Sequence, residues 1–336
     1  MNWNPKLLSF RGARRVAWGL ALAVALPLAW QRYHELQPNN GFDLSGAAVD
    51  AQRIDGGGPG RDGIPALTDP AVISAGEAAF LRDDDIVIGL TIADEARAYP
   101  LKILNWHEVV NDRLGGQAVA VTYCPLCGTG IAFAATLDGE RMDFGVSGLL
   151  YQDNLLLYDR ATKSLWSQFM GQAISGARRG ARLEPMPVEH ASWLAWRTRH
   201  PQTSVLALPR GSRRDYEFDP YREYRLAGLF ATGLGPAGSL PPNGWVIGLV
   251  HGGQAKAWPL AALARRAPSG TLHDSLGGLA LNIEYDAAAA TAVVRDDRGR
   301  LLPGTLAYWF AWKDFHPDTL VWPDSGAGSA SAPGGG

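Results

Sequence analysis

The chain has 336 residues, 46% of them hydrophobic and 19% charged, enough apolar material for one large domain or two ordinary ones. Its net charge of −2 leaves no electrostatic footprint for nucleic acid. Two cysteines exclude a disulfide scaffold, and 40 glycines with 22 prolines point to many turns between short strands.

At the N-terminus, Lys6, Arg11, Arg14 and Arg15 precede an uncharged apolar run from Val16 to Trp30. Basic residues before such a run hold the N-terminus in the cytoplasm and send the following chain across the membrane. As helix the run spans about 22 Å, short of the ~30 Å hydrocarbon core. Residues 1–33 are therefore expected to be an N-terminal apolar helix acting as a signal anchor, or a signal peptide cleaved near Ala23-Val24-Ala25. Either reading places the body outside the cytoplasm, periplasmic or at the cell surface, where disulfides persist. The membrane is then a partner through that helix. Nucleic acid is not, and no protein partner can be named.

Residues 34–80 read as a linker and irregular lead-in, with Gly56-Gly57-Gly58-Pro59-Gly60 breaking any regular element. An internal duplication follows. Val87-Ile88-Gly89-Leu90 recurs as Val246-Ile247-Gly248-Leu249, and Ala96-Arg97-Ala98-Tyr99-Pro100-Leu101 recurs as Ala255-Lys256-Ala257-Trp258-Pro259-Leu260 at the same offset. Leu114-Gly115-Gly116 returns as Leu276-Gly277-Gly278, and Trp193-Leu194-Ala195-Trp196 with His200-Pro201 as Trp309-Phe310-Ala311-Trp312 with His316-Pro317. The repeat divides the chain into a first unit at 81–210, a connection at 211–243 and a reduced second unit at 244–323. A Gly/Ala/Ser-rich tail at 324–336 is expected to be disordered.

In the first unit the pattern predicts strands over Ile86–Ile92 and Ala96–Leu101, a helical piece over Ile103–Asn111, and a strand over Ala118–Tyr123. Further strands are expected at Ile131–Ala135, Arg141–Val146, Asn154–Asp159 and Ser164–Phe169, then a helix over Val188–Arg199. The fold class is α+β, β-dominant, made of two related units preceded by one apolar helix.

The two cysteines fall in Cys124-Pro125-Leu126-Cys127-Gly128-Thr129-Gly130, directly after a strand. Gly128 and Gly130 disfavour a helix there, so the pair is expected on a strand–turn–strand knuckle rather than at a thioredoxin-like helix start. The duplication supplies an internal control. Cys124 corresponds to Asp286, Cys127 to Ala289, and His107-Glu108 has no counterpart near Arg265-Arg266-Ala267. Residues private to one unit point to a site, whereas His200 and His316, present in both, point to structure.

Two thiolates and an imidazole form a ligand set for one zinc or copper ion, with Cys124, Cys127 and His107 as ligands and Glu108 as a fourth ligand or base. A second pair of cysteines, which a full zinc ribbon needs, is lacking. Asp153, Asn154, Ser164 and Gln168 alternate along the following strands and are candidates for a pocket beside the cysteines. No phosphate loop or nucleotide fingerprint occurs, so no nucleotide cofactor is indicated.

Tyr99-Pro100-Leu101-Lys102-Ile103-Leu104-Asn105-Trp106-His107-Glu108, Val121–Thr129, Phe144-Gly145-Val146-Ser147-Gly148-Leu149 and Leu165-Trp166-Ser167-Gln168 together resemble the bacterial domain-of-unknown-function family 3179. The resemblance covers roughly 60–323 and implies that these motifs form one pattern without giving any of them a role. Three functional readings follow from the residues. The first is an extracytoplasmic metal-binding protein, its metal structural, handled or catalytic. The second is a thiol–disulfide redox protein using Cys124 and Cys127. The third is a non-catalytic binding or scaffold module with an inert disulfide.

Overall fold

The computed structural model describes residues 38–224 and 240–323. The expected N-terminal helix and the C-terminal tail lie outside these residues. Among those described, no helix is long and apolar enough to cross a membrane.

The architecture is a five-bladed β-propeller, which corrects the α+β expectation. The physical reason lies in helix length. Helices α1 (Leu101–His107), α2 (Trp193–Arg199), α3 (Leu260–Ala264) and α4 (Trp309–Phe315) run five to seven residues. Pieces of one or two turns link strands but form no layer of their own.

Blade I carries Ile86–Ile92 and Glu95–Pro100 at its centre, flanked by Glu189–Ser192 on one side and Ser204–Leu206 on the other. Blade II is built on Val109–Leu114, Gln117–Cys124 and Thr129–Ala134. Blade III is built on Phe144–Tyr151, Asn154–Asp159 and Leu165–Ser167. Blade IV repeats the order of blade I with Thr305–Tyr308, Trp245–His251, Gln254–Pro259 and Leu320–Val321. Blade V repeats the centre of blade II with Ser269–Leu276, Leu279–Asp286 and Thr291–Asp296. Among the described residues blade III has no counterpart in the second unit.

The correspondence reaches individual contacts. The Gly89 position faces Trp196 so closely that a Cβ would stand 2.1 Å from the ring, and Gly248 faces Trp312 at 2.3 Å. Each indole N–H donates to a threonine, Thr203 or Thr319, at 2.9 Å. Each ring packs at a tilt against a histidine, His200 at 4.0 Å and His316 at 4.2 Å between centroids. A carboxylate also recurs, buried at Asp112 and half-buried at Asp274. Arg97 and the Tyr99 hydroxyl donate to Asp112, while Lys256 and the Trp258 indole donate to Asp274.

Two segments differ from the sequence expectation in ways that shape the site. Residues 109–117, which fall in and just after the expected helical piece, belong to a hairpin: Val109–Leu114 pairs with Gln117–Cys124. Gly115 and Gly116, at φ +54° and +76°, form its two-residue turn. The strand expected to end at Val146 continues to Tyr151 through a bulge between Val146 and Leu150. The lead-in supplies edge strands: Ile54–Gly56 pairs with blade III, Leu67–Thr68 with blade II and Val72–Ser74 with blade I.

The largest core unites blades II and III, with Val109, Phe133, Phe144, Leu157 and Trp166 packed together and Ala311 of α4 joining them. Blade IV hydrogen-bonds to the cysteine turn, the Tyr308 amide donating to the Cys127 carbonyl at 2.9 Å.

Candidate functional site

Cys124 ends one strand of blade II and pairs in register with Thr129, so Pro125–Gly128 form a four-residue hairpin loop. The knuckle places both cysteines on a β-turn with no helix start beside them. Gly128 takes φ +70°, and a Cβ there would meet the Trp245 ring at 2.4 Å. In blade V the same hairpin position holds Asp286 paired with Thr291, where Asp286 caps its own turn by accepting from the Ala288 and Ala289 amides. The cysteines therefore replace a plain turn.

Both cysteines are free thiols and buried. The Cys127 sulfur lies 3.2 Å from the Thr129 hydroxyl and accepts from the Asn154 amide at 3.1 Å. Behind it runs a closed polar network. Asn154 Nδ2 and the Thr129 hydroxyl both reach Gln168 Oε1, at 2.8 and 2.9 Å, and Gln168 Nε2 donates to Thr122 at 2.9 Å. All four network side chains are buried, so each donor and acceptor must be satisfied inside. The Thr129 hydroxyl has two places for its proton. It can serve Gln168 when Cys127 is a thiol, and turn to the sulfur when Cys127 is a thiolate, leaving Gln168 Oε1 bonded to Asn154.

Burial raises the Cys127 thiol, but hydrogen bonds from Cys124, Thr129 and Asn154 outweigh it and hold its pKa below the ordinary value. Cys124 goes the other way: burial pushes it up, reinforced by its bond to Cys127 and by the charge of Glu108. The pair thus shares a proton, with the negative charge favoured on Cys127.

Glu108 follows α1 at φ 56° and ψ −30°, a strained conformation for a side-chain-bearing residue. This turn carries the chain from the helix into the Val109–Leu114 strand and sends neighbouring side chains apart. Glu108 faces the small cavity it shares with Cys124. His107 faces elsewhere, its ring nitrogens 2.8 Å from the Pro65 carbonyl and 2.8 Å from the Tyr216 hydroxyl. The expected His107 ligand position beside the cysteines is therefore corrected: both nitrogens are engaged. Among the described residues no group of three or more His, Cys, Asp or Glu is arranged to hold a metal ion. Glu108 accepts from the Tyr221 hydroxyl at 3.2 Å, and burial raises its pKa to about 7.

Of the four expected pocket residues, Asn154 and Gln168 reach the cysteine site. Asp153 contributes its backbone carbonyl, 4.0 Å from the Cys124 sulfur, from a turn in which Gln152 and Asp153 both have positive φ. Ser164 does not reach it; its hydroxyl lies 2.7 Å from Thr162 and accepts from the Arg178 amide in the next turn. Thr122, Thr129 and Tyr221 were missed by the sequence reading. Thr129 stands inside the cysteine motif, a signal that was available. Tyr221 lies in the connection and carries no motif.

A cavity of about 50 Å³ opens onto Cys124. Glu108 and Tyr221 form one wall; Gly57, Gly148 and Leu150 form another. The bulge in blade III builds that second wall. Gly148, at φ +72°, brings its backbone so near the lead-in that a Cβ would stand 2.3 Å from the Pro59 carbonyl oxygen.

The fold and site define a five-bladed propeller with a buried dithiol on one hairpin loop. The chain belongs to the protein family of unknown function DUF3179, whose model matches residues 61–319. No curated protein and no solved structure matches the chain.

Proposed function

We propose that this protein is a thiol redox protein in which Cys124 and Cys127 cycle between dithiol and disulfide, oxidised by a hydroperoxide. The observation that carries the reading is the donor set on Cys127: Asn154, Thr129 and the Cys124 thiol together favour a thiolate in a buried place where a lone thiol would stay protonated. A buried, inert pair needs no such set. The cavity above Cys124 holds a molecule of a few heavy atoms, roughly three waters, which favours a small oxidant.

In this reading the proton shared by the pair passes from Cys124 to the Cys127 thiolate, leaving the charge on Cys124, while Glu108 is about half protonated near pH 7. The Cys124 thiolate attacks one peroxide oxygen and the O–O bond breaks. The departing oxyanion takes a proton from neutral Glu108 and leaves as water or an alcohol, with Cys124 now a sulfenic acid. Cys127 attacks the Cys124 sulfur as a thiolate, its proton having passed to the departing hydroxyl; the S–O bond breaks and water leaves. The sum is dithiol plus ROOH giving disulfide, ROH and water. An external dithiol returns two electrons and two protons. Export by the basic and apolar N-terminus belongs to the same proposal, because an oxidising compartment is where such a pair meets its oxidant.

The test is to add one equivalent of hydrogen peroxide to the reduced protein and map its cysteines by mass spectrometry. The expected products are a Cys124–Cys127 crosslink in the native chain and, in Cys127→Ser, a Cys124 sulfenic acid trapped by a cyclic dione. Two free thiols with the peroxide unconsumed would sink the reading.

A further inference from the structure

A second cavity, of about 340 Å³, lies where blades I, II, IV and V converge. It is distinct from the recess above Cys124 and none of the residues given redox roles lines it. Asn105 of α1 projects from its wall and is 8% exposed. The Asn105 amide nitrogen faces the Asp219 carboxylate at 3.4 Å, which fixes the orientation of the group: a carboxylate takes the N–H side. Among the described residues Asn105 Oδ1 has no hydrogen-bond partner. Leaving a buried amide oxygen without a donor is costly, so the site is built for a donor that arrives from outside.

The charges on the wall say what kind of donor. Asp84, Asp85, Glu217 and Asp219 line the cavity against two cations, Arg82 and Lys102. Lys102 is fully engaged, its ammonium within 2.9 Å of Asp85, 2.8 Å of Glu217 and 3.0 Å of the Phe80 carbonyl. Arg82 lies at the rim against Asp84 and Asp85. His190 also borders the cavity and adds no positive charge, since burial lowers its pKa to about 4. Among the described residues an anion would meet excess carboxylate and no uncommitted cation. Aromatic rings complete the wall: Tyr123 and Trp245 from blades II and IV, Tyr216 and Phe218 from the connection. Aromatic faces and carboxylates around a buried acceptor suit an organic cation.

We infer that this cavity binds an ammonium group carried on an apolar body, with the N–H donating to Asn105 Oδ1 and the body against Trp245 and Tyr123. The volume is at the small end of ligand pockets and matches a single-ring amine. The same chemistry is borne by a free amine and by a lysine side chain of a polypeptide.

The test is calorimetric titration of the full chain with phenethylammonium, with the isosteric neutral 2-phenylethanol, and with Nα-acetyl-lysine methylamide. Phenethylammonium or the lysine derivative is expected to bind at least about tenfold tighter than the alcohol, the preference of a charge-assisted hydrogen bond. Whichever of the two is tighter assigns the source of the cation. Asn105→Leu, checked for native circular dichroism, is expected to reduce that preference to about threefold or less. Equal binding of amine and alcohol by the native chain, or no saturable binding of either cation at millimolar concentration, would overturn the inference without recourse to the variant.

Discussion

Glu108 and His190 are buried ionisable groups whose pKa values move in opposite directions across the same pH range. Burial lifts Glu108 from 4.5 to about 7 and lowers His190 from 6.5 to about 4. For Glu108 the sign follows from its raised folded value. Its contribution to stability is fully present below about pH 4.5 and is lost as pH rises through 7. For His190 the folded value is depressed, so its contribution is present above about 6.5 and lost as pH falls through 4. The two slopes offset one another in the native chain, and removing one exposes the other. Glu108→Gln is expected to raise stability at pH 8 relative to the native chain by on the order of 2–3 kcal/mol, with the difference vanishing near pH 4. Denaturant unfolding at a series of pH values measures it. A difference that is independent of pH would mean that Glu108 does not titrate in this window.

At the scale of elements, the Gly–Trp contact is the joint by which each unit's short helix locks onto its first hairpin. The helix can lie flat on the strand only because Gly89 and Gly248 lack a Cβ. Gly89→Ala and Gly248→Ala are each expected to cost at least about 1–3 kcal/mol, the range for overpacking, as read from thermal and urea unfolding. A neutral effect at either position would show that the tryptophan can retreat without loss. The duplicated motifs were legible in the sequence because they carry this joint: the glycine, the tryptophan and the following His-Pro recur together. The cysteine knuckle was legible because two glycines close to the pair disfavour a helix. The position of His107 was not. It depends on the single left-handed residue Glu108, and a glutamate gives no sequence sign of positive φ. The strand Val109–Leu114 was hidden for a related reason. Both of its faces are largely buried, so Asn111 and Asp112 are core polar residues satisfied by distant partners and break the alternation that marks a half-exposed strand. The propeller itself was masked by helical pieces whose spacing resembles that of longer helices over one turn.

At the scale of the whole molecule, the blades are tied together by contacts that cross between units. Arg295 of blade V pairs with Glu189 of blade I at 2.8 Å, Tyr308 of blade IV bonds to the cysteine loop, and Gln152 of blade III donates to the Asp314 carbonyl of α4 at 2.7 Å. The connection clamps α1 as well, with the Trp106 indole donating to the Phe218 carbonyl at 3.2 Å and Tyr221 reaching Glu108. The second unit therefore completes the surroundings of the dithiol although it carries no cysteine. The folded body is expected to unfold in one cooperative transition, with alkylation of Cys124 and Cys127 rising in that transition and not before it. Calorimetry beside pulsed alkylation measures this. Two resolved heat-absorption peaks, with cysteine exposure confined to one, would show that the units fold independently.

The reduction potential of the Cys124–Cys127 pair bears most directly on the redox reading. The protein is equilibrated in a series of dithiol–disulfide buffers and quenched by alkylation, and the two cysteines are counted by mass. One two-electron transition involving both residues is expected, with a potential between about −270 and −120 mV, the range of working dithiols. A potential below about −300 mV, the range of inert structural disulfides, or thiols that stay alkylatable in every buffer, would contradict it.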